Sequence, residues 1–138
     1  QWIQTWSALH ILDLDISSEP ANLDEWLDAI TTYCRNLQHA GFEFDDPRAE
    51  QFVAVNHSQS YVRFVSALLR ISSLRSLRLV ADFPDMAAVQ IPTISPLRYL
   101  HIGSANYGED NVEALLLRML PSLSELLQLQ LKNMEFER

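Results

Sequence analysis

The chain has 138 residues, of which 48% are apolar and 20% charged, so its composition is that of a folded globular domain and not of a disordered tract. No apolar run reaches the roughly 18 residues that a membrane-spanning helix needs. The net charge of −8 includes no basic stripe, which argues against nucleic-acid binding, because that depends on phosphate neutralisation by Lys and Arg.

The charge is uneven. Residues 1–57 hold ten acids and two bases, while residues 58–138 hold eight of each, so the whole imbalance lies in the first part. Such an acidic end suits the steering of a basic partner. Cys34 is the only cysteine, which excludes an internal disulfide and suits a reducing compartment, cytoplasmic or nuclear. With Gln1 rather than Met at its start, the chain is expected to be a segment of a longer protein. Asn56-His57-Ser58 fits the N-glycosylation acceptor pattern, which also arises often by chance.

In chain order, Trp2 and Trp6 come first and are expected to cap or pack against the end of a core. The spacing L-x-x-L-x-L then occurs at Leu9/Leu12/Leu14 and returns at Leu74/Leu77/Leu79, Leu97/Leu100/Ile102 and Leu126/Leu129/Leu131, with a weaker copy at Leu37/Ala40/Phe42 continuing to Phe44. The intervals between starts are 28, 37, 23 and 29 residues, against a usual leucine-rich period of about 20–29. Alternation of apolar and polar residues after each first leucine predicts half-buried strands over 11–15, 41–44, 76–80, 99–102 and 128–132. One unit cannot bury its own apolar face, but stacked neighbours can.

Between the strands, Asn22 is placed to cap a helix from Leu23, with Asp24, Glu25 and Asp28 in its first turns and Leu23, Trp26, Leu27, Ile30, Tyr33, Cys34 and Leu37 on one face. A second helix is expected over 59–71, burying Val62, Val65, Leu68 and Leu69. A third fits 109–120, where Pro121 blocks continuation. Residues 81–96 carry three prolines and little periodicity, so an extended or single-turn return is expected there. The long interval takes its extra residues from an insertion at 45–58, with a short helix around 48–55. Beyond the last strand, Met134 and Phe136 are expected to cover the next layer.

The phrases WSALHILDLDIS, FVSALLRISSLRSLRLV, SPLRYLHIG and MLPSLSELLQLQLKNMEF resemble leucine-rich repeats of fungal F-box-type proteins. That resemblance implies substrate selection by the repeats and, through an F-box, attachment to the adaptor of a cullin-type ubiquitin ligase. Only eight residues precede Leu9, so no F-box-like segment stands ahead of the repeats in this chain. The fold expected is therefore α/β: one leucine-rich-repeat solenoid over 1–138, of about five strand-plus-helix units with a curved parallel sheet.

In such a stack the outward side chains form three rows: Ile11, His39, Ser76, Tyr99 and Gln128; Asp13, Gly41, Arg78, His101 and Gln130; Asp15, Glu43, Val80, Gly103 and Lys132. Asp13, Asp15, Glu43, Arg78, Tyr99, His101 and Gln130 are the candidate partner-binding residues, with Gly41 leaving space for Arg78 to lean toward Asp13. Cys34 falls on an apolar helix face, where a free cysteine behaves as a small hydrophobe rather than a nucleophile. Asp15, Glu43 and Asp45 lack the ligand number and glycine of a calcium loop. Glycine-rich phosphate loops, HExxH, CxxC and GxSxG are all missing from the sequence. The expectation is a binding scaffold for a protein partner, not an enzyme, with no cofactor, metal, nucleic acid or membrane and no small-molecule ligand. Two other readings stay open: an α/β ligand-binding or enzymatic domain with coincidental leucine spacing, and a purely structural segment.

Overall fold

The computed structural model describes residues 6–16, 23–44, 58–105 and 108–134. Trp2, Asn22, Asp45, the helix expected around 48–55, Asn56 and Phe136 lie outside them. The described elements run β1 (Ile11–Ile16), α1 (Leu23–Tyr33), β2 (His39–Phe44), α2 (Ser58–Leu69), β3 (Ser76–Ala81), β4 (Tyr99–Ser104), α3 (Glu109–Met119), a 3-10 turn (Leu120–Ser122) and β5 (Gln128–Lys132). The five strands form one open parallel sheet in chain order, β1-β2-β3-β4-β5. This is the order expected when each strand returns by a right-handed crossover to lie beside its predecessor.

One backbone device repeats at every strand entry. The His10 carbonyl accepts from the amides of Gln38 (2.7 Å) and His39 (3.0 Å), and the Gln38 carbonyl from Arg75 (2.9 Å) and Ser76 (3.0 Å). The Arg75 carbonyl takes Arg98 (2.8 Å) and Tyr99 (3.0 Å), and the Arg98 carbonyl takes Leu127 (2.7 Å) and Gln128 (3.1 Å). Each acceptor directly follows the first leucine of a copy, and each donor pair sits at the same place in the next copy. The leucine spacing therefore fixes equivalent backbone positions, and through them the register: Leu12, Ala40, Leu77, Leu100 and Leu129 align across the sheet, as do Leu14, Phe42, Leu79, Ile102 and Leu131.

These aligned residues meet the helices. In α1, Leu23, Leu27 and Ile30 are buried, followed by Cys34 and Leu37 in the turn to β2. In α2, Val65, Leu68 and Leu69 are buried as the spacing predicts, while Val62 is only partly covered. Tyr61 and Phe64, absent from the predicted face, are also fully enclosed. Phe64 meets Phe42 edge-on at 4.7 Å, and Tyr61 meets Phe44 at 5.9 Å and Phe83 at 5.5 Å. Glu109 and Asp110 begin α3, favourably placed at its positive end, and Pro121 stands in the 3-10 turn that ends it.

Residues 82–98 contain no helix or strand and one turn closed by the Val89 amide on the Met86 carbonyl (3.0 Å), in agreement with the expected extended or single-turn return. Side chains of α3 hold this segment. Arg118 donates to the carbonyls of Met86 (2.8 Å) and Val89 (2.7 Å), and Asn111 donates to the carbonyl of Phe83 (2.9 Å). Gly108 has φ 86°, and a Cβ there would run into the Phe83 backbone.

Four expectations need correction. Trp26 is 45% exposed, because α1 turns that position outward to meet Trp6 at 6.2 Å between ring centres. The α1 helix stops at Tyr33 rather than continuing to Leu37. Val80, assigned to an outward row, is fully buried. Leu129 and Leu131, 38% and 39% exposed, are not closed over as Leu77 and Leu100 are, because β5 has a strand on one side only among the described residues. Trp6 packs partly against the core, as expected.

The position in the stack sets the cost of truncation. Leu77→Ala should lose about 2–5 kcal/mol of stability, and Leu129→Ala less than half as much, by chemical denaturation. Equal losses would contradict the burial described. Among the described residues Tyr61 Oη is buried with no hydrogen-bond partner, so Tyr61→Phe should leave the denaturation midpoint unchanged or raise it. A loss of more than about 1 kcal/mol would mean that the hydroxyl has a partner.

Candidate functional site on the open sheet face

Alternate strand residues point away from the helices. The three outward rows form as the sequence predicts: Ile11↔His39↔Ser76↔Tyr99↔Gln128, Asp13↔Gly41↔Arg78↔His101↔Gln130, and Asp15↔Glu43↔Val80↔Gly103↔Lys132. All seven candidate binding residues thus lie on one face. They divide into two groups of different character.

The first group is ionic and centred on Arg78. Its Nη2 donates to Asp13 Oδ1 (2.8 Å) and Asp15 Oδ1 (3.0 Å), and its Nη1 to Glu43 Oε1 (3.2 Å). The guanidinium fork explains why one cation serves three carboxylates from two strands. Gly41 makes this possible: a Cβ there would collide with the Asp13 carboxylate and lie 3.2 Å from Arg78 Nε. Arg78 therefore crosses β2 to reach β1, which is the lean that the missing side chain suggested.

Lys132 completes the group from the far edge, its Nζ 3.3 Å from Glu43 Oε1. To span from β5 to β2 its stem crosses Gly103 and Val80, the two residues between them in the row. A Cβ on Gly103 would strike the backbone carbonyl and Cβ of Lys132, so the two strands approach closely there. This crossing accounts for a buried valine in an outward row, since a lysine stem covers apolar surface while its head stays polar. His39 adds a further link: Nε2 lies 3.2 Å from Asp13 Oδ2, and Nδ1 lies 2.7 Å from Ser76 Oγ. A proton on Nε2 lets His39 donate to Asp13 while accepting from Ser76.

The second group is Tyr99, His101, Gln128 and Gln130, on β4 and β5. With His39, Ser76 and Arg78 they surround a depression of about 190 Å³ that Leu77 and Leu100, whose side chains are buried in the core, also line. His39, Ser76, Gln128 and Lys132 were outside the candidate set, although their places in the rows signalled them.

Electrostatics follow from this layout. The Arg78 hydrogen bond holds the Asp13 carboxyl below its usual range, against a smaller opposing effect of burial and with help from His39. Partial burial, then the Arg78 and Lys132 charges, hold the His101 pKa below the usual histidine value, with Glu43 opposing. Cys34 lies fully buried in the core rather than on this face, and burial raises its thiol pKa, so it stays protonated. Among the described residues, no three His, Cys, Asp or Glu side chains are grouped to hold a metal ion. No helix among them is long and apolar enough to cross a membrane. No family model, curated protein or solved structure matches the chain.

If Gly41 is the gap through which Arg78 reaches Asp13, Gly41→Ala should raise the Asp13 pKa toward the ordinary carboxylate value in an NMR titration. The stability cost should stay near 0–1 kcal/mol, as for an exposed ion pair. An Asp13 that still titrates low in Gly41→Ala would show that its environment does not depend on Arg78.

Because His101 takes up its proton at lower pH folded than unfolded, the unfolded chain binds more protons as acid is added, and stability falls. His101→Gln should therefore lose less melting temperature than the parent between about pH 7.5 and about pH 5.5. Asp13 acts in the same direction at lower pH: its contribution is present above the ordinary carboxylate range and lost as the carboxyl protonates. Identical melting curves for parent and His101→Gln over the upper interval would contradict the role given to this imidazole.

Proposed function

We propose that this chain is a leucine-rich-repeat solenoid whose open sheet face holds a protein partner. In the intact protein it would serve as the substrate-recognition part of a cullin-type ubiquitin ligase, working in the cytoplasm or nucleus. The observation that carries the scaffold reading is the combination of a repeated strand entry, which ranks outward side chains in straight rows, with polar and aromatic groups left available on that face. The ligase part rests on the resemblance of the repeat phrases to fungal F-box-type proteins. Buried Cys34 adds nothing to a reactive site, and the depression is smaller than the roughly 300–1,000 Å³ of pockets that enclose drug-sized ligands, which favours a protein partner over a small molecule.

A photo-cross-linking amino acid placed at Tyr99 or Gln130 in the intact protein, and separately at Arg63 on α2, tests the scaffold reading. Irradiation in cell extract should capture the same protein from positions 99 and 130 and not from 63. Capture from 63 alone would move the interface to the helical face and remove this reading. The ligase role further expects a cullin adaptor to co-purify with the intact protein. A captured partner without an adaptor would leave the scaffold and remove the ligase.

A further inference from the structure

We infer that the segment of partner held between β4 and β5 is an extended, uncharged, amide-rich stretch of polypeptide, recognised through Tyr99, His101, Gln128 and Gln130. This rests on the open-face reading above and names the chemistry of its partner. It departs from the simpler expectation that the acidic end draws a basic ligand.

The charges on this face are already committed. Asp13, Asp15 and Glu43 supply three negative charges, Arg78 and Lys132 supply two positive ones, and every one of the five is in an ion pair of 3.3 Å or less. The five charges leave a net charge of −1, and the gain from a further pair at a solvent-exposed site is only about 0–1 kcal/mol.

The neighbouring quartet is different. Tyr99 faces Gln128 and His101 faces Gln130 across the β4–β5 ladder. Among the described residues these four side chains have no hydrogen-bond partner, so their donors and acceptors are available. Tyr99, Gln128 and Gln130 are exposed and His101 is half-buried. Each glutamine offers two N–H donors and a carbonyl, the phenol can donate or accept, and an uncharged imidazole does one of each. The peptide group offers one donor and one acceptor, which is the complement of such a set.

Spacing supports an extended chain. Residues two apart on a strand lie about 6.6–6.8 Å apart, which is also the two-residue repeat of any extended polypeptide. A segment running along β4 and β5 thus keeps step with Tyr99 and His101 on one side and Gln128 and Gln130 on the other. The lowered pKa of His101 keeps this quartet uncharged at neutral pH.

The test is selection of a phage-displayed library of random peptides, about 12 residues long, on the protein, followed by affinity measurement of the recovered peptides at about 50 mM and about 500 mM salt. The recovered sequences should be rich in Asn, Gln, Ser and Tyr and poor in charged residues, with affinity changing less than about two-fold between the salts. Tyr99→Ala and Gln130→Ala should each weaken binding about ten-fold, with melting temperatures unchanged. Lys- and Arg-rich peptides that lose ten-fold or more at high salt would overturn this inference, yet leave the open-face reading standing if the two variants still weaken them. Peptides indifferent to both variants, or no recovered peptide at all, would overturn it as well. Failure of the proposed function is read separately, from cross-linking at 63 instead of 99 and 130.

Discussion

A single carbonyl at each strand entry accepts two amides from the next copy of the leucine pattern, and this joint recurs at His10, Gln38, Arg75 and Arg98. Two donors on one acceptor fix where the following strand begins. In a parallel sheet a slip of one residue would turn every side chain to the other face, placing leucines in water and aspartates in the core. The joint and the burial of Leu77, Leu79, Leu100 and Ile102 therefore enforce the same register, one by hydrogen bonding and the other by the hydrophobic effect. Everything on the open face inherits its position from that register.

The ionic group shows how much follows from it. Arg78 stands two strands from Asp13 and Asp15, and their meeting requires residue 41 to lack a side chain. Lys132 stands three strands from Glu43, and a Cβ on its neighbour Gly103 would strike the Lys132 backbone carbonyl. These long side chains tie β1, β2, β3 and β5 across the surface and neutralise most of the charge there. Such exposed pairs contribute little to stability individually. Their main consequence is chemical: they divide the face into a self-satisfied ionic part and an uncharged part whose hydrogen-bonding groups remain open.

Much of this was legible in the leucines. The position of each strand, their parallel chain order and all three outward rows follow from one spacing and its intervals, because the pattern encodes both burial and register. Arg78 leaning over Gly41 was also readable, since a glycine between opposite charges in one row leaves a gap. Other features were not. The exposure of Trp26 depends on how far α1 rotates against Trp6, a tertiary choice that periodicity does not carry. The burial of Val80 depends on a lysine two strands away. The ordering of residues 82–98 depends on Arg118 and Asn111 of a later helix, whose hydrogen bonds to backbone carbonyls leave no mark in the local sequence. The candidate site was recognised as a face, but the division between committed and available groups needed distances.

The strand order and register are most directly tested by backbone NMR of the isotopically labelled protein, through nuclear Overhauser contacts between strands. Contacts of the parallel type should link β3 to β2 and β4 alone, with Arg78 aligned to Gly41 and His101, and the amides of His39, Ser76, Tyr99 and Gln128 should be strongly protected from hydrogen exchange. Close Hα–Hα contacts, which mark antiparallel pairing, or a register displaced by one residue at Leu77 would contradict it.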